Sequence, residues 1–142
     1  MSDREARADK DANPLECVAA LVLREGALLA EERKPTKQVV PGAVALPGGN
    51  LEPGEQAEEA LRRELKEELG IAPLEARYVC TLLHRSQEFR KLHYFAVTRW
   101  EGTLTNHEAA SLRWLPLSES HVLDLDVDRL ALAEYLRIYG GP

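Results

Sequence analysis

The stretch GNLEPGEQAEEALRRELKEELGI, Gly49 to Ile71, decides how the rest of the chain is read. From Gln56 to Leu69 it holds strong helix formers, apolar at Ala57, Ala60, Leu61, Leu65 and Leu69, and Gly70 follows as a natural C-cap. Pro53-Gly54 marks a turn just ahead of the helix. Seven glutamates, at 52, 55, 58, 59, 64, 67 and 68, face only Arg62, Arg63 and Lys66, so these 23 residues carry −4 of the chain's net −6. At about 100° per residue, Glu64, Glu67 and Glu68 fall within an arc of roughly 100° that Leu61 and Leu65 flank. Three carboxylates so close repel one another in the absence of a partner. Two readings follow: a site for a hard divalent cation, which prefers oxygen ligands, or a solvated helix face neutralised by Arg62, Arg63 and Lys66.

Working outward, Glu16 to Leu23 (ECVAALVL), a turn at Arg24-Glu25-Gly26, and Ala27 to Ala30 predict a β-hairpin. Glu31 to Pro41 is polar with two prolines and reads as a loop. Ala43 to Leu46 is a short strand candidate, stopped by Pro47-Gly48-Gly49. Tyr78 to Leu83, Leu92 to Trp100 and Leu112 to Leu115 read as further strands. Asp124 to Asp128 opens a last helix running through Arg137, with Leu130, Leu132, Ala133 and Leu136 on its core side. Two helices interleaved with about six short strands give an α+β (mixed α/β) layered domain. The expected organisation is a flexible tail over residues 1–13 and one domain over 14–142.

The 142 residues are 44% hydrophobic and 30% charged, near globular averages, which excludes wholesale disorder and fibrous classes. No apolar run approaches the roughly 20 residues of a membrane helix, and Met1 to Asn13 has no apolar segment of signal-peptide length. Cys17 and Cys80 sit far apart in apolar runs, which suits reduced thiols packed as small hydrophobes. These features point to the cytoplasm. A net charge of −6 with no basic stripe excludes a nucleic-acid polymer as main partner. His84, His93, His107 and His121 show neither metal-ligand nor triad spacing.

Gly49, Glu55, Arg63, Glu64, Leu65, Glu67, Glu68, Gly70 and Ile71 fill every fixed position of the Nudix box, and Leu46-Pro47-Gly48-Gly49 resembles the lead-in to it. Seven identities at average residue usage arise by chance on the order of once in a hundred million starting points. The resemblance to the Nudix hydrolase family covers the box directly and, by strand order, most of the chain from Glu16 onward. It implies a mixed β-sheet sandwiched between helices, with the box as loop–helix–loop. It also implies divalent-metal-dependent hydrolysis of a nucleoside diphosphate linked to another moiety, with Mg²⁺ or Mn²⁺ as cofactor. Carried over position by position, Glu67 and Glu68 are metal ligands, Glu64 is a ligand or the general base, and the Gly48 carbonyl is a further ligand. Arg63 and Glu55, with Gly49 and Gly70 shaping the box, brace the loop against the helix so that the ligands stay oriented. The cation is expected to bind with little rearrangement of the helix carboxylates.

A second local resemblance bears on substrate. Trp100-Glu101-Gly102, then Glu108, then Arg113-Trp114-Leu115, is similar to the segment in nucleoside-triphosphate-sanitising (8-oxo-dGTPase-type) members, where a glutamate supplies one more metal contact. Glu108 takes that place; the alternative is a solvated loop residue. Asp126 and Asp128 fall where such enzymes set an Asn or Asp against a base edge, and they equally suit caps of the last helix. Arg33, Arg85, Arg90 and Lys91 are spare cations able to meet phosphates, and Arg33 is retained as a substrate-binding candidate. Ser86 to Phe89 stand where ADP-ribose-cleaving relatives show a proline and dinucleoside-polyphosphate relatives a tyrosine, which tilts the reading toward triphosphates. The expected reaction therefore converts a nucleoside triphosphate, standard or oxidised, to monophosphate and pyrophosphate. Alternatives are hydrolysis of ADP-ribose, a nucleotide sugar or a dinucleoside polyphosphate, or a non-catalytic nucleotide sensor. The partner is a small nucleotide, with no membrane involved, and monomer or homodimer is left open.

Overall fold

The computed structural model describes residues 13–37 and 41–140. Apart from Asn13, the tail expected over 1–13 lies outside them. Strand β1 (Leu15–Arg24) turns into β2 (Ala27–Glu32) through Glu25 and Gly26, both with positive φ (51° and 77°). That two-residue turn has the twist a tight hairpin requires, and glycine takes its second position without a Cβ penalty. β1 is the centre of the fold. On one edge it runs parallel to β7 (Phe89–Val97), from Leu15 opposite Arg90 to Val22 opposite Val97. Its other edge is shared: β4 (Gly48–Asn50) takes Cys17 to Ala19, and β2 takes Leu23 and Arg24. β3 (Val44–Ala45) and β9 (Ser111–Pro116) flank β2, and β6 (Arg77–Arg85) lies outside β7. β5 (Ala72–Pro73) and β8 (Trp100–Glu101) form a separate pair.

Both faces of β1 are covered, which is why its sequence is a nearly unbroken apolar run. Cys17, Ala19, Leu21 and Leu23 face Leu92, Tyr94 and Ala96 and the last helix, α2 (Asp126–Tyr139), through Val127, Ala131, Leu132 and Tyr135. Val18, Ala20 and Val22 face Phe95, Val97 and helix α1 (Ala57–Leu69), through Ala60, Leu61, Leu65 and Leu69. The layering is helix, sheet, helix. Helix α1 opens at Gln56, whose N–H donates to Glu59 Oε1 at 3.0 Å. It closes at Gly70 (φ 68°), with Gly70 N–H donating to Lys66 O and Ile71 N–H to Leu65 O.

Several sequence expectations are corrected. Nine strands form among the described residues rather than about six. β2 continues through Glu32, so Glu31 is strand and not loop. β3 ends at Ala45, ahead of Pro47, but Gly48 and Gly49 then open a new strand, because pairing with β1 satisfies their backbone. The strand expected over Leu92–Trp100 starts at Phe89 and ends at Val97, leaving Trp100 to pair with Pro73. Helix α2 begins at Asp126 after an N-cap at Leu125. Leu130, 55% exposed, and Ala133 face solvent, and Val127, Ala131 and Tyr135 take the core face with Leu132.

Candidate active site

The site begins where β4 passes beneath α1. A Cβ added at Gly49 would stand 2.5 Å from the Glu64 carboxylate, and one at Gly48 would stand 2.1 Å from the Val18 carbonyl oxygen. The first glycine leaves room for the Glu64 side chain, which a methyl would push aside; the second lies against backbone and admits nothing larger than hydrogen.

Arg63 ties the loop to the helix. Its Nε donates to Glu55 Oε2 at 2.8 Å and its Nη2 to Glu55 Oε1 at 2.9 Å, a two-pronged pair. Nη2 also reaches the Asn50 carbonyl at 3.0 Å, and Nη1 reaches Glu64 at 2.9 Å and Glu67 at 3.2 Å. Glu55 accepts in addition the N–H of Glu52 at 2.9 Å. The Arg63 hydrogen bonds, aided by that backbone N–H, hold the Glu55 carboxyl down to about 2. Arg63 is pushed up in turn, chiefly by Glu55.

The three helix carboxylates occupy different environments. Glu67 is at the rim, its side chain 59% exposed. Glu64 is half-buried, and desolvation raises its pKa against the pull of Arg63. Glu68 is buried, its Oε2 has no hydrogen-bond partner, and burial followed by the charge of Glu31 pushes it up to about 9. Glu31 itself, 3% exposed on β2, also has an unpartnered Oε2 and is pushed by burial up to about 7. Sequence reasoning missed Glu31. The available signal was alternation: Leu29 packs toward α1, and Glu31, two residues on, shares its face.

These groups line a cavity of about 550 Å³. Its acidic wall holds Glu31, Glu64, Glu67, Glu68 and Glu108 beside Gly48 and Gly49. Arg33, Lys34, Lys37 and Arg90 line it too, and Asp128 closes a part of the wall formed with Leu46, Leu92 and Leu125. Glu108 forms an ion pair with Lys37, which holds its carboxyl below the usual range. Asp128 is 2% exposed and accepts hydrogen bonds from Tyr94 Oη at 2.7 Å and from the N–H of Leu46 at 3.3 Å. Burial nevertheless lifts it to about 6.

The structure thus brings Gly48, Gly49, Glu64, Glu67, Glu68, Glu108, Arg33 and Asp128 to one cavity, with Arg63, Glu55 and Gly70 supporting it from outside. Asp126 is corrected: it is not among the lining residues, and its exposed carboxylate lies 3.6 Å from His84 Nδ1 and accepts the N–H of Val127 at 2.8 Å. Asp128 does not cap the helix, since it is directed to Tyr94 and Leu46 instead. The donor set is entirely oxygen, and the stranded Glu68 oxygen at the cavity wall suits a hard divalent cation. Among the described residues no three Asp, Glu, His or Cys side chains converge at metal-ligand spacing; Glu64 and Glu67 are instead hydrogen-bonded to Arg63. No helix among the described residues is long and apolar enough to cross a membrane, and both cysteines are free thiols.

Comparison with known proteins adds an independent line. The family model described as NUDIX domain matches residues 14–136. The CTP pyrophosphohydrolase of Escherichia coli (strain K12) is 36% identical over 107 residues, 75% of this chain and 78% of that protein. Nucleoside triphosphatase NudI of Escherichia coli O1:K1 / APEC is 51% identical over 53 residues, 37% of this chain and 38% of that protein. The crystal structure of a MutT NUDIX hydrolase from Burkholderia pseudomallei superposes with a TM-score of 0.75 at 27% identity, covering 86% of this chain and 98% of that one.

Proposed function

The chain belongs to the NUDIX domain family of pyrophosphohydrolases, and from that premise we propose that it cleaves a nucleoside triphosphate to the monophosphate and pyrophosphate. The observation that carries this reading is one cavity lined by the box carboxylates, by the cations Arg33, Lys34, Lys37 and Arg90, and by a buried acceptor, Asp128. A polyphosphate fits between the first two and a base beside the third. The similarity to proteins named CTP pyrophosphohydrolase and nucleoside triphosphatase supports a triphosphate over ADP-ribose, a nucleotide sugar or a dinucleoside polyphosphate.

Nudix hydrolases use divalent metals, and the proposed cofactor here is Mg²⁺ or Mn²⁺, held by Glu64, Glu67 and Glu68 with the Gly48 carbonyl and Glu108 as further ligands. When bound, the cation neutralises the polyphosphate and acts as a Lewis acid on its oxygens. Arg63, anchored on Glu55 and the Asn50 carbonyl, fixes where Glu64 and Glu67 stand relative to the loop. We assign to Glu64, desolvated and packed against Gly49, the role of taking the proton of an attacking water at a carboxylate oxygen. Lys37, once released from Glu108, and Arg33 neutralise the phosphates that carry the developing charge. Asp128 accepts a hydrogen bond from an exocyclic amino group of the base; Tyr94 and Leu46 keep its carboxylate in place for that contact. The reaction is assigned to the cytoplasm, by a monomer or homodimer.

The test is release of pyrophosphate against orthophosphate from CTP and the other common triphosphates, 8-oxo-dGTP, ADP-ribose and diadenosine polyphosphates, each with Mg²⁺, with Mn²⁺ and with EDTA. Pyrophosphate from a triphosphate, abolished by EDTA, is the expected result. ADP-ribose cleaved far faster than any triphosphate overturns the substrate assignment; silence with every substrate overturns it too, in favour of an untested moiety linked to the nucleoside diphosphate or of a sensor.

A further inference from the structure

One buried acid in the cavity has no part in the roles above. Glu31 is the penultimate residue of β2, with Ala45 of β3 paired on one side and Leu112 of β9 on the other, so its backbone is fixed on both edges. The alternation of β2 sends Leu28 and Ala30 to the α2 side and Leu29 to the α1 side, and Glu31 follows Leu29. It is thereby held on the wall that Glu68 also lines, 3% exposed. Its Oε2 receives no hydrogen bond, and neither does Oε2 of Glu68. The positive charges that act on Glu31 are those of Arg33 and, more weakly, Lys37, and Lys37 is engaged by Glu108. Two stranded carboxylate oxygens facing one cavity from opposite elements are a costly arrangement that a positive charge between them relieves. A neutral ligand donating one hydrogen bond would satisfy one oxygen and leave the repulsion.

We propose that Glu31 is a cation ligand, holding a divalent metal together with Glu68 between β2 and α1. Resting on the metal-dependent reading above, this adds to the box ligands a carboxylate from a strand that lies outside the box. Manganese is the probe, because its binding is read directly from the loss of the free-ion electron paramagnetic resonance signal, without turnover. The wild-type chain, Glu31→Gln and Glu68→Gln are titrated with Mn²⁺ alone, and thermal melts with and without Mn²⁺ are run on each. Glu31→Gln keeps the shape of the side chain and removes a buried charge, so it folds and, free of metal, melts above the wild type. The expected result is a Mn²⁺ affinity at least tenfold weaker in Glu31→Gln, or one fewer ion bound per chain, with a smaller melting shift on adding metal. Equal Mn²⁺ stoichiometry and affinity in wild type and Glu31→Gln overturns the assignment of Glu31 while the box reading stands. No Mn²⁺ bound by the wild type overturns both.

Discussion

Arg63 Nε stands 2.8 Å from Glu55 Oε2 while the same guanidinium touches Glu64, Glu67 and the Asn50 carbonyl, so one side chain locks loop and helix in register. A lysine delivers the charge without the planar two-pronged geometry. Arg63→Lys is therefore expected to lower kcat by about 10- to 100-fold, the usual effect of losing a partner that orients metal ligands. Steady-state kinetics and a Mn²⁺ titration check it, and an unchanged kcat would show that the brace is dispensable.

Gly49 and Gly48 separate chemistry from folding. At Gly49 an added methyl meets only the movable end of Glu64, so Gly49→Ala should keep its melting temperature within a few degrees and lose about tenfold or more in turnover. At Gly48 the methyl meets the Val18 backbone, so Gly48→Ala should fold poorly. Circular dichroism beside an activity assay distinguishes the two, and the reverse order would refute the contact assignment.

Glu67→Gln should reduce turnover by about two or more orders of magnitude if its carboxylate ligates the metal. Glu67 is at the rim, so its neutralisation leaves the fold intact. A nucleotide sensor would show weaker metal binding with no turnover to lose.

The pH dependence of stability has a definite sign. Glu31 and Glu68 carry folded-state values of about 7 and about 9, above their ordinary 4.5. For an acid raised by folding, the stabilisation is complete below 4.5 and is lost as pH rises through the folded value, since the unfolded chain ionises first. Free of metal, the protein should therefore become less stable from about pH 5 to pH 9, and a divalent cation should flatten that slope by favouring the ionised carboxylates. Glu55, held near 2, works in the opposite sense and loses its contribution as pH falls from 4.5 toward 2. Melting temperatures across pH 3 to 9, with EDTA or Mn²⁺, test both arms; a metal-free curve that rises toward pH 9 contradicts the burial of the two acids.

Removing the Asp128 carboxylate strands the Tyr94 hydroxyl and the Leu46 N–H, each a buried donor. Asp128→Ala should cost about 1–3 kcal/mol per stranded group. If Asp128 meets the base, KM for the nucleotide rises while activity on inorganic tripolyphosphate does not change in step. A parallel loss on both substrates assigns Asp128 to folding alone.

The hairpin and α1 with its Gly70 C-cap were legible in the sequence because each depends on local patterns, a turn and a 3.6-residue period, and the box brace was implied by the resemblance to the family. Glu31 and β4 were not. The charge at 31 and the glycines at 48 and 49 have the composition of loops, and only pairing with distant strands makes them sheet. Asp126 and Asp128 are two residues apart with similar sequence surroundings, yet one faces His84 and solvent and the other the cavity. That choice is made by the rotation of α2 against the sheet, where Val127, Ala131 and Tyr135 rather than Leu130 and Ala133 turn inward. The i, i+4, i+8 spacing of Val127, Ala131 and Tyr135 carries that rotation, and a reading built on Leu130 and Ala133 misses it.

The shared edge of β1 divides the labour of the cavity between two parts of the chain. Helix α1, packed beside β4, brings the box carboxylates proposed for hydrolysis, whereas Leu46 just after β3, Leu125 just before α2 and Asp128 in α2 form the wall proposed for the base. Drift in the second set can change which nucleotide is accepted without disturbing the groups that break the anhydride. Such an enzyme acquires a new substrate by exchanging a few wall residues, and its hydrolytic apparatus passes to the descendant unchanged.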